Sequence, residues 1–184
     1  MRVLALSGSL RQASLNSAFC RVAAQLAPPQ LTVAVYAGLA GLPLFNPDLE
    51  GNPPAAVLDF RAAVGAADAL IIASPEYAHG ISGPMKNALD WLVSFEGTVN
   101  KPIALINTSP RARHAYAAML EVLQTMSTRV VAEASVTLPL LGACSTEEAM
   151  LATPQLRQAI EASLQALAAF LADGSRPGAS FPLG

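Results

Sequence analysis

The chain has 184 residues, 53% hydrophobic and 13% charged, with a formal charge of −2 and a pI near 5.6. That length fits one domain able to bury about 70% of its unfolded surface, and the near-neutral, slightly acidic balance leaves no electrostatic footprint for nucleic acid or an anionic membrane. No uninterrupted apolar stretch reaches the roughly eighteen residues of a membrane helix, and the opening MRVLALSGS lacks the apolar core of a signal peptide, so a cytosolic protein is expected.

The apolar excess, much of it alanine, points to a well-covered sheet and an oligomer interface. Cys20 and Cys144 lie far apart without metal-ligand spacing and read as small buried hydrophobes rather than a disulfide.

In chain order, residues 2–7 form a short, nearly continuous apolar run, the mark of a strand buried on both faces in a parallel sheet. A polar loop follows. Residues 15–26 carry helical apolar positions at Leu15, Phe19, Val22, Ala23 and Leu26 before Pro28-Pro29 stops them. A second strand is expected over 31–36, then an irregular segment over 37–54, rich in proline and glycine. A helix over 55–64 and a third strand over 69–73 lead to a corner at 75–80 and a helix over 85–95. The remaining expectations are a strand over 103–107, a helix over 115–126, a strand over 130–136 and a loop over 139–144. A last helix opens at Thr153-Pro154, with proline at its first position, and runs to Leu171; residues 173–184 read as an irregular arm. Five strands alternating with helices predict one α/β domain: a doubly wound, five-stranded parallel sheet with helices on both faces.

Three loops carry chemistry. The first, Gly8, Ser9, Leu10, Arg11, Gln12, Ala13, Ser14, Leu15, Asn16 and Ser17, is rich in hydroxyls and opens into a helix. Amides at a helix N-terminus with serine, asparagine and one guanidinium can cradle a phosphate. Neither the G-x-G-x-x-G fingerprint nor the P-loop pattern is present, which argues against a Rossmann dinucleotide site and a nucleoside triphosphatase. An ordinary helix start, with Ser14 as cap and Arg11 in solvent, explains the same residues.

The second, Pro75, Glu76, Tyr77, Ala78, His79 and Gly80, ends the third strand. If that strand borders the first, both loops face one crevice at the topological switch point, where a flat heteroaromatic ring could lie against backbone amides and carbonyls. Glu76 suits a backbone-fixing role better than acid-base chemistry, and His79 can be either a general acid or a packing group. Asp90 reads as a partner for its own helix and Trp91 as core or subunit interface. The third loop, residues 107–114, brings Thr108 and Ser109 to a ring edge and Arg111 and Arg113 to a second, anionic ligand, or is a solvated basic turn.

Together these stretches resemble the NADPH-dependent FMN reductase family of flavodoxin-like proteins, which includes azoreductases, chromate reductases and quinone reductases. GSLRQASLN is similar to the family's G-S-x-R-x-x-S-x-N loop at Gly8, Ser9, Arg11, Ser14 and Asn16. SPEYAHGISGPMKNALDW is similar to its P-E-Y-N stretch and following helix at Pro75, Glu76, Tyr77, Lys86, Asn87, Ala88, Asp90 and Trp91.

The resemblance implies strand order 2-1-3-4-5 and FMN bound noncovalently. Its phosphate would lie on Ser9, Leu10, Arg11, Ser14, Leu15, Asn16 and Ser17. Its ring would lie against Pro75, Glu76, Tyr77, Ala78, His79, Gly80 and Ser109. NADPH or NADH would donate hydride, a small-molecule acceptor would take the electrons, and the protein would be a homodimer or homotetramer. The flavin would carry the chemistry, with no catalytic side chain and no metal.

Three departures stand out. Ala78 replaces the family's usual asparagine, Ser82-Gly83-Pro84 rearranges a Pro-Gly pair, and TSPRARHAYA replaces a glycine-rich loop while keeping Ser109. The competing expectations are a flavodoxin-like electron carrier without a nicotinamide site, and a cofactor-free binding module.

Overall fold

The computed structural model describes residues 1–140 and 146–174. Its elements run β1 (Arg2–Ser7), α1 (Leu15–Gln25), β2 (Thr32–Val35), α2 (Ala55–Ala66), β3 (Ala69–Ala73), β4 (Glu76–Tyr77), β5 (Gly80–Ile81) and α3 (Gly83–Asp90). They continue with β6 (Pro102–Ile106), α4 (Arg113–Thr125), β7 (Arg129–Val130), α5 (Glu147–Ala152) and α6 (Pro154–Ala172). The sheet has the order β2-β1-β3-β6-β7 and every pairing in it is parallel, which is the expected 2-1-3-4-5 arrangement.

Side chains alternate across a strand, so each central strand feeds two cores. Val3, Ala5, Ile71, Ala73, Ala104 and Ile106 pack under α1, α5 and α6, while Leu4, Leu6, Leu70, Ile72, Ile103 and Leu105 pack under α2, α3 and α4. The near-continuous apolar runs of β1 and β3 arise because both faces are covered. Cys20 lies within the first core as a free thiol, and burial pushes its pKa up to about 12, which leaves it unreactive at neutral pH. Cys144 lies outside the described residues.

Several expectations need correction. The strand expected over 130–136 is only Arg129–Val130, followed by a 3-10 turn at Ala132–Ala134. Ser135 explains the break. Its Oγ donates to Val131 O at 2.8 Å and accepts from Leu105 N at 3.0 Å, so a hydroxyl takes the β6 amide that a strand carbonyl would have bound. Ladder pairing resumes at Asn107 and Thr137.

The helix expected over 85–95 is Gly83–Asp90. It starts earlier because Ser82 accepts from Met85 N, and its last turn loosens where Arg61 Nε donates to Trp91 O at 2.9 Å. The corner at 75–80 contains a hairpin, β4 with β5, rather than a plain loop. Glu147–Ala152 is a helix capped by Thr146, too short to show a clear apolar period. Of the expected loop over 139–144, residues 141–144 lie outside the described residues, as do 175–184 of the expected arm; Asp173 caps α6.

Candidate functional site

Three loops meet where β1, β3 and β6 end, and Gly8 is the point where the first two touch. Gly8 N donates to Ala73 O at 2.8 Å and Gly8 O accepts from Ser82 Oγ at 2.6 Å. Ser82 is fully buried and also lies 3.1 Å from Ser74 Oγ. A Cβ on Gly8 would sit well inside van der Waals contact of Ser74 Oγ, 2.9 Å from Ser74 Cβ and 2.8 Å from Ser82 Oγ, so the residue is glycine because the Ser74 and Ser82 side chains fill the space a Cβ would need.

The first loop is organised by its own hydroxyls. Ser14 caps α1, accepting from Ser17 N at 3.3 Å; Ser17 Oγ lies 2.8 Å from Ser7 Oγ; Ser9 Oγ accepts from Arg11 N at 3.4 Å. The first amides of α1, at Leu15 and Asn16, have no intrahelical acceptor, as at any helix start, and carry the positive end of the helix dipole. Leu10 and Arg11 are exposed, and among the described residues Arg11 makes no ion pair.

The second loop rises as a hairpin of two residues per strand, turned by Ala78 at φ 47° and His79 at φ 60°. Two consecutive left-handed residues are the signature of a type I′ turn, which favours Asn-Gly. Alanine there costs about 1–2 kcal/mol. The hairpin is held from outside: Ile81 packs against the second core, Glu76 Oε2 accepts from Ala115 N at 2.8 Å, and the rings of His79 and His114 stack at 4.3 Å with 22° between planes. Helix α4 has no cap of its own, since Ala112 stands at the N-cap, so the Glu76 carboxylate supplies one from another element.

The third loop is rigid without glycine. Asn107 bridges it, its Oδ1 accepting from Ser109 N at 3.1 Å and its Nδ2 donating to Ala112 O at 3.3 Å. Thr108 Oγ1 donates to Asn16 Oδ1 at 3.0 Å, with both residues buried, and so joins the third loop to the first.

Between these walls lies a cavity of about 300 Å³, lined by Leu15, Asn16, Ser74, Pro75, Glu76, Thr108, Ser109, Arg111 and Ala112. Of the residues picked from sequence, Leu15, Asn16, Pro75, Glu76 and Ser109 are brought together on it. Ser9, Ser14 and Ser17 build the loop beside it, while Leu10, Arg11, Tyr77, Ala78, His79 and Gly80 do not line it. Thr108 and Arg111, read from the sequence as contacts of the third loop, also line the cavity; Ser74 and Ala112 were not expected there, and the position of Ser74 at the carboxyl end of β3 is the signal that could have found it. Arg111 brings a guanidinium to the cavity, and neither it nor the exposed Arg113 is in an ion pair among the described residues. The site therefore presents amide and hydroxyl donors, apolar walls and positive charge, a set suited to a planar ligand with an anionic tail.

A larger open groove of about 740 Å³ runs between Arg129–Glu133 and α6 and includes none of the three loops. The helix motif after the hairpin is structural. Asn87 accepts from Phe45 N at 2.8 Å and donates to Pro43 O at 3.0 Å, Trp91 Nε1 also donates to Pro43 O, and Lys86 pairs with Asp90. Asn87 and Trp91 thus fasten the irregular segment that follows β2 onto α3.

A five-stranded parallel sheet in this order, with a ligand-sized cavity at its switch point, defines a flavodoxin-like protein. The flavoenzyme NAD(P)H:(acceptor) oxidoreductase FerB from Paracoccus denitrificans superposes with a TM-score of 0.77 and 25% identity, over 94% of this chain and 97% of that one. The chain belongs to the NADPH-dependent FMN reductase family, whose sequence model matches residues 1–143. An NAD(P)H-dependent FMN reductase from Pseudomonas aeruginosa is 42% identical over 116 residues, 59% of this chain and 60% of the relative. An NADPH:quinone oxidoreductase from Arabidopsis thaliana is 42% identical over 114 residues, 59% of this chain and 58% of the relative. The match thus spans less than two thirds of these curated relatives.

Proposed function

We propose that this chain is an NAD(P)H-dependent FMN oxidoreductase that reduces flavin, quinone, azo or similar small-molecule acceptors. The observation that carries the reading is the convergence of the Leu15–Asn16, Ser74–Glu76 and Thr108–Ala112 segments on one cavity at the switch point of the sheet. The residues present fit FMN. Amides at the start of α1 and the Ser9, Ser14 and Ser17 hydroxyls suit its phosphate, with Arg11 adding charge. Leu15, Pro75 and Ala112 offer apolar surface to the ring, and Thr108, Ser109 and the backbone of Pro75 and Glu76 offer directional hydrogen bonds. Tyr77, Ala78, His79 and Gly80 keep a role in holding that wall.

The chemistry that FMN supplies when bound is two-electron transfer, hydride taken from a nicotinamide and electrons passed to the acceptor. The chain's own task is to position and shield. Asn107 braces the third loop from within, Thr108 fixes it against the first, Glu76 is engaged through Oε2 as a helix cap, and Arg111 offers charge to an anionic part of a ligand. No side chain need donate or remove a proton.

The reading extends to a cytosolic setting, in keeping with the free Cys20 thiol, and to a homodimer or homotetramer, in keeping with the exposed Leu44, Leu58 and Val93. Among the described residues no helix is long and apolar enough to cross a membrane. Titrating flavin-free protein with FMN while following flavin fluorescence, then mixing the complex anaerobically with NADPH or NADH, tests the reading. Saturable binding and bleaching of the flavin absorbance are expected. Absence of binding refutes the cofactor assignment, and a flavin that stays oxidised with both nicotinamides leaves only an electron carrier.

A further inference from the structure

The β4–β5 hairpin is the least self-sufficient part of the site. Each strand has two residues, both turn residues sit at positive φ without being glycine, and Tyr77, Ala78 and His79 are exposed. A hairpin of this size is marginal on its own, so its position is set by what it rests on. Its base is anchored by Ile81 against the second core and by Glu76 on the Ala115 amide. At its tip, the one ring contact among the described residues is His79 on His114, and these are the only two histidines of the chain.

The two rings belong to two segments that each supply a wall of the cavity. His79 is carried by the segment that begins with Pro75 and Glu76, and His114 stands two residues after Ala112, in the first turn of α4. Neither imidazole lines the cavity. We propose that His79 and His114 are a positioning pair, whose stacked rings hold the strained turn closed against the first turn of α4 and so fix the spacing of the two cavity walls. The proposal rests on the reading of that cavity as the FMN site. Flat, near-parallel rings are what the geometry uses, so a phenyl ring can replace an imidazole where alanine cannot.

The test uses the full chain, freed of flavin, with FMN as the probe. His79→Ala and His114→Ala each weaken FMN binding by about threefold to tenfold, the span of an aromatic pair, and the double alanine variant is no weaker than the worse single one. His114→Phe restores affinity to near wild type.

In the flavin-free protein, amide exchange at residues 76–81 and at Ala115 is faster in both alanine variants, slow again in His114→Phe, and unchanged in the central strands. Alanine variants that bind FMN as wild type does, losses that add in the double variant, or exchange raised throughout the sheet would each overturn the pair's role. If the wild type itself binds no FMN, the cofactor reading fails and takes the affinity part of the proposal with it, while the exchange result alone upholds or overturns the clamp between hairpin and helix.

Discussion

The loop after β1 and the hairpin after β3 border the same cavity, yet they are held in opposite ways. The first is organised from within: Ser14 caps its own helix, Ser9 bonds to Arg11 two residues on, Ser17 closes back onto Ser9, and Gly8 removes the side chain that would keep the next loop away. The hairpin has a turn that its sequence disfavours and takes its order from α4 through Glu76 and the histidine stack. A phosphate-sized cradle can be built locally because a helix start already exposes amides. A wall that must sit at a set distance from a second loop has to be fixed by contacts with that loop's own helix.

Breaking the contrast at its tightest point has the largest effect. Gly8→Ala drives a methyl into Ser74 and Ser82 and is expected to cost about 1–3 kcal/mol in urea unfolding, with FMN affinity falling alongside. Glu76→Ala strips the first turn of α4 of its only side-chain cap and is expected to cost about 1–2 kcal/mol, whereas Glu76→Gln, which keeps an acceptor, loses less. If the two variants melt alike and like wild type, the hairpin does not depend on α4 as described.

Ser14→Ala removes a local cap for about 1 kcal/mol, read as a drop in melting temperature, and it should leave the hairpin's amide exchange untouched. The smallest change runs the other way. Ala78→Gly relieves the left-handed turn and is expected to raise stability by about 0.5–1 kcal/mol, since the relief outweighs the entropy glycine adds to the unfolded chain. An Ala78→Gly variant less stable than wild type would mean the turn is not strained.

Much of the layout was legible because burial on two faces leaves a plain mark. The runs at 2–7 and 69–73 were read with the boundaries found, and the helix starts at Leu15 and Pro154 followed from a serine cap and a proline. The stretch at 130–136 misled because its β-branched residues look like strand, while the decisive feature is Ser135 bonding to Leu105, distant in sequence. The hairpin at 76–81 was hidden for a related reason: Ala-His is a poor type I′ pair, so no local turn signal exists. At the cavity, Leu15, Asn16, Pro75 and Glu76 follow from the motifs and Thr108 from the hydroxyls of its loop, but the bond that ties Thr108 to Asn16 has no sequence signal.

By itself the sequence determined the alternation of strands and helices, the two-sided burial of the central strands and the helix start beside the first loop. All three depend on side-chain periods and caps that act within a few residues. Only the tertiary structure decided that Glu76 caps α4, that Thr108 ties the third loop to Asn16, and that the two histidines meet. Each of these pairs a group with a partner in another element, or ties one loop to the next. The free energy of such a contact is realised only when the sheet has brought strand ends together, so no local pattern can announce it.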